Sequence, residues 1–255
     1  MKEFFFFTAW EMQKPTSYGP FHIIFMICGF TLAFFLAYFL SKNKKINPKK
    51  ILFISSIFLI VTEIYKQLFY FFVIGNGSYV FWIFPFQLCS LPMYLGVILY
   101  FSKSNLVSSS IKNFMCVFSF LGGVASYLEP SGMHHEYVTL TLHSYIWHLV
   151  LVFIGLYIFL SCDVCNTKEG YFGSSVIFLI SCLIAQFFNT VFHKIEYINM
   201  FFISPFYNSS IIVLKDIYKN FGWFAAFISY IIALLLASAI IYKIFGLIKK
   251  KTKIS

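Results

Sequence analysis

A cysteine, two histidines and a carboxylate–lysine pair are the groups in this chain best suited to chemistry, and all stand inside or beside apolar runs. Cys89 lies in Phe86-Gln87-Leu88-Cys89-Ser90-Leu91-Pro92. A cysteine near a histidine can be a nucleophile, because the histidine raises the thiolate fraction; taken alone, the same thiol reads as a small packing hydrophobe. His143 and His148 are five residues apart, about 140° around a helix. Metal-binding pairs on one helix favour a spacing of four, so no metal is expected, and one ring should face a cavity while the other meets a neighbouring helix or the interface. Glu63 shares a helical face with Lys66 (i+3) and Gln67 (i+4). An ionised carboxylate at membrane depth is costly unless paired, so this is either a structural ion pair or a group that orients a histidine. Gln186, Asn189 and His193 make a polar stripe that fits interhelical bonding or substrate contact. His134, His135 and Glu136 read as a solvated loop.

The elements that must position these groups are membrane helices. The chain has 255 residues, 60% of them hydrophobic and 11% charged, and a mean hydropathy of +0.83. A soluble domain would carry about 25% charged residues. Continuous rather than alternating apolar runs exclude a β-barrel, which leaves an all-α polytopic membrane protein. Seven spans are expected at about 21–41, 51–74, 84–102, 109–128, 138–161, 171–192 and 221–247, forming a single domain over 1–255. Pro92 should kink the third, and Gly122-Gly123 should admit a close neighbour at the fourth. The stretch 193–220 should re-enter the membrane or lie on it. Phe4 to Phe7 form too short an apolar run for a cleaved signal peptide.

The net charge of +10 comes from lysine alone, without arginine, and the lysines gather beside helix ends. That is the pattern of topology signals and anionic-lipid contacts, not of a nucleic-acid surface. Thirteen lysines on one side against five on the other put the amino terminus outside and the carboxyl terminus in the cytoplasm. Cys89, His143, His148 and Asn189 then fall in the outer halves of their helices, and Glu63 near the middle of its own with Lys66 and Gln67 further out, which implies a cavity open to that side. A multi-pass protein of the cell membrane is expected. Cys162-Asp163-Val164-Cys165 is a CxxC without a second pair, a weak metal or redox signal.

PFQLCSLPMYL, LHSYIWHLVLVFIGLYIF, Glu63-x-x-x-Gln67 and YINMFFISPF, in that order and spacing, resemble the YwaF family of bacterial integral membrane proteins, which is related to animal transmembrane protein 164. The likeness runs from His22 to about Phe206. It implies a seven-helix bundle and, from the animal member, a cysteine-dependent acyltransferase that moves fatty acyl chains between glycerophospholipids. The catalytic cysteine and histidine of that family fall on Cys89 and His148, and its Asn-Met pair on Asn199 and Met200; His143 matches the bacterial relatives only. On this reading Gln87, Asn189 or Asn199 donates to the oxyanion, Lys66 holds phosphate, and Glu63, Gln67 and His143 support the site. The partners are membrane phospholipids, with no cofactor. The alternative is a transporter or receptor with an outward polar cavity, against which the lack of inverted repeats argues mildly.

Overall fold

The structure is a computed structural model that describes residues 2–162, 167–209 and 211–254. Cys165, and with it the CxxC, lies outside the described residues. Among these residues there is no β-strand, only one backbone bridge between Glu11 and Tyr137. Eight α-helices follow in order: α1 Lys2–Phe7, α2 Pro20–Lys42, α3 Pro48–Phe69, α4 Leu91–Phe101, α5 Asn105–Leu128, α6 Val138–Ser161, α7 Lys168–Phe192 and α8 Ile212–Ile254. A π-turn, Tyr70–Ile74, extends α3, and short 3-10 turns lie at Phe81–Ile83, Leu88–Ser90, Pro130–Met133 and Met200–Phe202.

Helix starts follow the local chemistry. Asn47 accepts from Lys49 N at 2.9 Å with Pro48 in the first turn, and Ser104 accepts from Val107 N at the head of α5, so one orphan N–H is satisfied in each case. α8 is two helices joined at Gly222, whose φ of 82° suits glycine alone.

Among the described residues six helices are long and apolar enough to cross a membrane: α2, α3 with its π-turn, α5, α6, α7 and α8. The expected third span is the exception. Residues 84–87 are not helical, and the apolar helix there runs only from Leu88 to Phe101. Pro85 cannot sit inside a helix, and Pro92 does not kink one; it stands in the first turn of α4, where a missing N–H costs nothing.

α5 is the axis of the bundle, held between α6 and α7, with Phe114, Met115, Cys116, Val117 and Phe118 all buried. α2 is the most lipid-exposed of the six spans and rests mainly on α6. Gly123 is the point where α5 meets α6. A Cβ there would stand 2.9 Å from His148 O and 3.1 Å from Val152 N, whereas Gly122 faces open space. Backbone atoms cannot rotate away, so Gly123→Val should cost about 1–3 kcal/mol by overpacking. Thermal unfolding in detergent micelles reads this directly, and a variant as stable as the parent would show that the contact is loose.

The long connection after α7 enters the bundle. Ile198, Asn199, Met200, Phe201, Ile203 and Ser204 are all buried, so its 3-10 turn becomes part of the core.

Candidate functional site

Four segments converge at one end of the bundle: the carboxyl end of α3, the turn before α4, the start of α6 with its preceding loop, and the 199–202 turn. Cross-links among them and their flanking loops are specific. Gln87 Nε2 donates to Asn199 O at 3.2 Å, Phe81 N, in the loop before α4, to Glu196 Oε2 at 2.8 Å, and Met12 N, from the stretch after α1, to Glu136 O at 2.8 Å. They enclose a cavity of about 200 Å³ lined by Glu63, Lys66, Gln87, Cys89, His143, His148 and Asn199, among others. Seven of the nine residues singled out from sequence therefore share one space. Gln67 and Asn189 do not line it.

α3 contributes the charges. Lys66 Nζ lies 2.9 Å from Glu63 Oε1, and Gln67 Nε2 donates to the same oxygen at 2.7 Å and to Ile83 O at 2.8 Å. Gln67 thus ties the ion pair to the loop before α4. Glu63 is buried, Lys66 half-buried. Glu63 engages one of the ammonium's three donors, and Lys66 also lines the cavity.

The turn Leu88–Ser90 carries Cys89 in the first turn of the 88–101 helix. Unpaired N–H groups and the positive end of the helix dipole meet there, where negative charge on sulfur would develop. Trp147 Nε1 donates to Cys89 O at 3.1 Å, so α6 pins this turn one residue before His148. His148 Nδ1 lies 2.7 Å from Ser144 O. A carbonyl only accepts, so Nδ1 carries the proton and the neutral ring keeps its lone pair on Nε2. That nitrogen meets no partner among the described residues. His143 stacks on Trp147, centroids 5.4 Å apart, and its buried Nε2 has no hydrogen-bond partner.

The amides bond backbone across the connection after α7. Phe201 N donates to Gln87 Oε1 at 2.7 Å while Gln87 Nε2 holds Asn199 O. Asn189 is fully buried and grips Met200 twice, accepting from its N at 2.6 Å and donating to its O at 3.0 Å. Asn199 Oδ1 accepts from Ser204 N at 2.9 Å, and its Nδ2 reaches Asn208 O at 3.4 Å. Gln87, which lines the cavity, and Asn189 thus each commit the carbonyl oxygen and one amide N–H to backbone, and each keeps a second N–H. They hold a turn in which Phe201 and Phe202 have φ of 58° and 59°, a left-handed conformation costing about 1–2 kcal/mol per residue. Asn189→Leu would leave Met200 N unpaired in the core and Met200 O with only the 3.4 Å bond from Ile203 N, at about 1–3 kcal/mol. Chemical denaturation of the purified protein should show a loss in that range, and a loss under 1 kcal/mol would mean the turn holds without its clamp.

The rest of the α7 stripe does not converge. His193 bonds Thr190 O at 2.7 Å and stacks on Phe206, and Gln186 has an unpaired buried oxygen away from the cavity. His22 is fully buried, accepts from Tyr18 N at 3.0 Å, and belongs to a separate aromatic cluster with Tyr127 and Tyr145.

His134 and His135 are half-buried rather than free in solvent. His134 Nε2 meets Tyr145 OH at 2.8 Å, and His135 lines the cavity with Ser144, its Nε2 3.0 Å from Ser144 Oγ. No spacing rule links a loop histidine to a serine nine residues on. The contact depends on the 129–137 loop folding back over α6. Among the described residues no three histidines, cysteines or carboxylates are grouped to hold a metal ion.

A family model, that of the TMEM164 family, matches residues 17–245. No curated protein and no solved structure matches the chain.

Proposed function

The chain belongs to the TMEM164 family, and from that premise we propose that it is a membrane acyltransferase moving a fatty acyl chain between glycerophospholipids through a thioester on Cys89. One observation carries the proposal: Cys89 and His148 open onto the same cavity, cross-tied by the Trp147–Cys89 bond, with the histidine held in the tautomer that leaves Nε2 basic.

His148 Nε2 takes the Cys89 proton as sulfur attacks the ester carbonyl. The tetrahedral intermediate collapses, the C–O bond breaks, and the departing lysophospholipid oxygen receives the proton from His148. A second lysophospholipid hydroxyl then gives its proton to His148 and attacks the thioester, and the thiolate leaves and is reprotonated. Lys66 holds the phosphate as a point charge, and the N-terminal end of the 88–101 helix faces the developing oxyanion. The lysine distribution supports a cell-membrane protein with the cavity end outside.

The acyl-enzyme is the test. Protein incubated with an alkyne-tagged fatty-acyl phospholipid should carry the tag on the Cys89 peptide and lose it to neutral hydroxylamine. A tag that resists hydroxylamine, or none on that peptide, rejects the thioester.

A further inference from the structure

We propose that Ser144 and His135 form a second nucleophile–base pair in the same cavity, able to take an acyl or phosphonyl group on Ser144 Oγ without Cys89. The separation of 3.0 Å between His135 Nε2 and Ser144 Oγ is within the reach at which a base activates a hydroxyl. The serine is free to be activated. Elsewhere in these helices Ser55, Ser110, Ser161, Ser181, Thr62 and Thr190 all donate to the carbonyl one turn back, the usual resting arrangement of a helical hydroxyl in apolar surroundings. Ser144 makes no such bond. Its Oγ turns to His135 instead, and both residues line the cavity.

The base is held by a third group. Thr141 Oγ1 accepts from His135 N and donates to His135 O, each at 3.1 Å, and Thr141 is fully buried. The ring lies ahead of α6, and its pKa is lowered to about 4, first by burial and then by the positive charges of Lys66 and Lys14 and by His134. At neutral pH it is therefore a free base. His143 is the other ionisable ring coupled to it, and the Glu136 carboxylate next in sequence is paired outward with Lys14.

The step balances within the pair. Ser144 Oγ attacks the carbonyl carbon of a fatty acyl ester, and its proton moves to His135 Nε2. The ester C–O bond then breaks, and the departing alcohol takes that proton. Water or a lipid hydroxyl, deprotonated by His135, discharges the acyl-serine. None of this requires the Cys89 thioester, so the two readings stand or fall separately.

The test is an alkyl fluorophosphonate applied to membranes carrying the full chain, with peptide-level mass spectrometry. The expected adduct is on Ser144. It should persist in Cys89→Ala, vanish in Ser144→Ala, and form at least 10-fold more slowly in His135→Gln. Alkylation of Cys89 by iodoacetamide, unchanged in the last two variants, verifies that the cavity is intact. In the unmodified chain the labelling rate should stay level from pH 8 to about pH 5 and fall toward pH 4, the range set by the His135 base. A wild-type protein without the Ser144 adduct, an adduct lost in Cys89→Ala, or a rate that falls with a midpoint near the ordinary histidine value of about 6.5 overturns the pair.

Discussion

A Cys89→Ala protein should fold, insert and give the same melting curve as the parent while transferring acyl chains at least about 10³-fold more slowly when compared in a Ser144→Ala background, the scale on which losing a nucleophile outweighs losing a binding contact. The change removes one half-buried sulfur from the first turn of a helix, and the bond holding that turn, Trp147 Nε1 to Cys89 O, is to backbone and survives. Chemistry and structure are thus separable at this position. His148→Gln should lose activity on a similar scale, since glutamine offers no basic nitrogen. Its melting should also shift a little, because the contact to Ser144 O becomes less well directed. The measurement is transfer between defined lipids in vesicles containing purified protein. Full activity in Cys89→Ala ends the thioester mechanism.

The second large effect concerns α3. Glu63→Leu alone should cost about 3–5 kcal/mol, because it strands the Lys66 ammonium, and burying an unpaired charge costs more than the pair was worth. The double variant Glu63→Leu/Lys66→Met should recover most of that stability, since two apolar side chains of similar size replace both charges. Function should not recover with it. Without Lys66 there is no cation at the phosphate position, and transfer should remain depressed mainly through a higher KM. Denaturant unfolding of the three proteins, with kinetics on the double, separates an ion pair that only holds α3 from one that also holds substrate. A double variant with normal kinetics would assign the pair to packing alone.

Hydropathy gave the six long spans because about 20 apolar residues in a row admit few other fates. It failed at 84–102, where Phe84, Phe86 and Leu88 count as apolar whether or not they are helical, and only the geometry of Pro85 separates a loop from a span. The Glu63–Lys66 pair was legible because it is local, set by helical pitch. The backbone bonds of the amides were illegible for the opposite reason. Gln87 finds its partner 114 residues later at Phe201, and nothing in either neighbourhood marks the bond. His135 escaped notice because a loop of polar residues looks solvated until its fold is known. The resemblance selected Cys89 and His148; only the tertiary arrangement brings them to one space.

The short helix that carries Cys89 in its first turn also bears on the depth at which the proposed reaction would run. From Leu88 to Phe101 it measures about 21 Å, against about 30 Å of hydrocarbon. Just past its far end Lys49 Nζ caps Ser102 O at 2.7 Å. With that end at one boundary and the helix upright, the proposed nucleophile would lie some 9 Å beneath the other. A lipid reacting at that depth would leave bulk solvent behind, and the proposed acyl-enzyme would be shielded there, which favours passing the chain to another lipid.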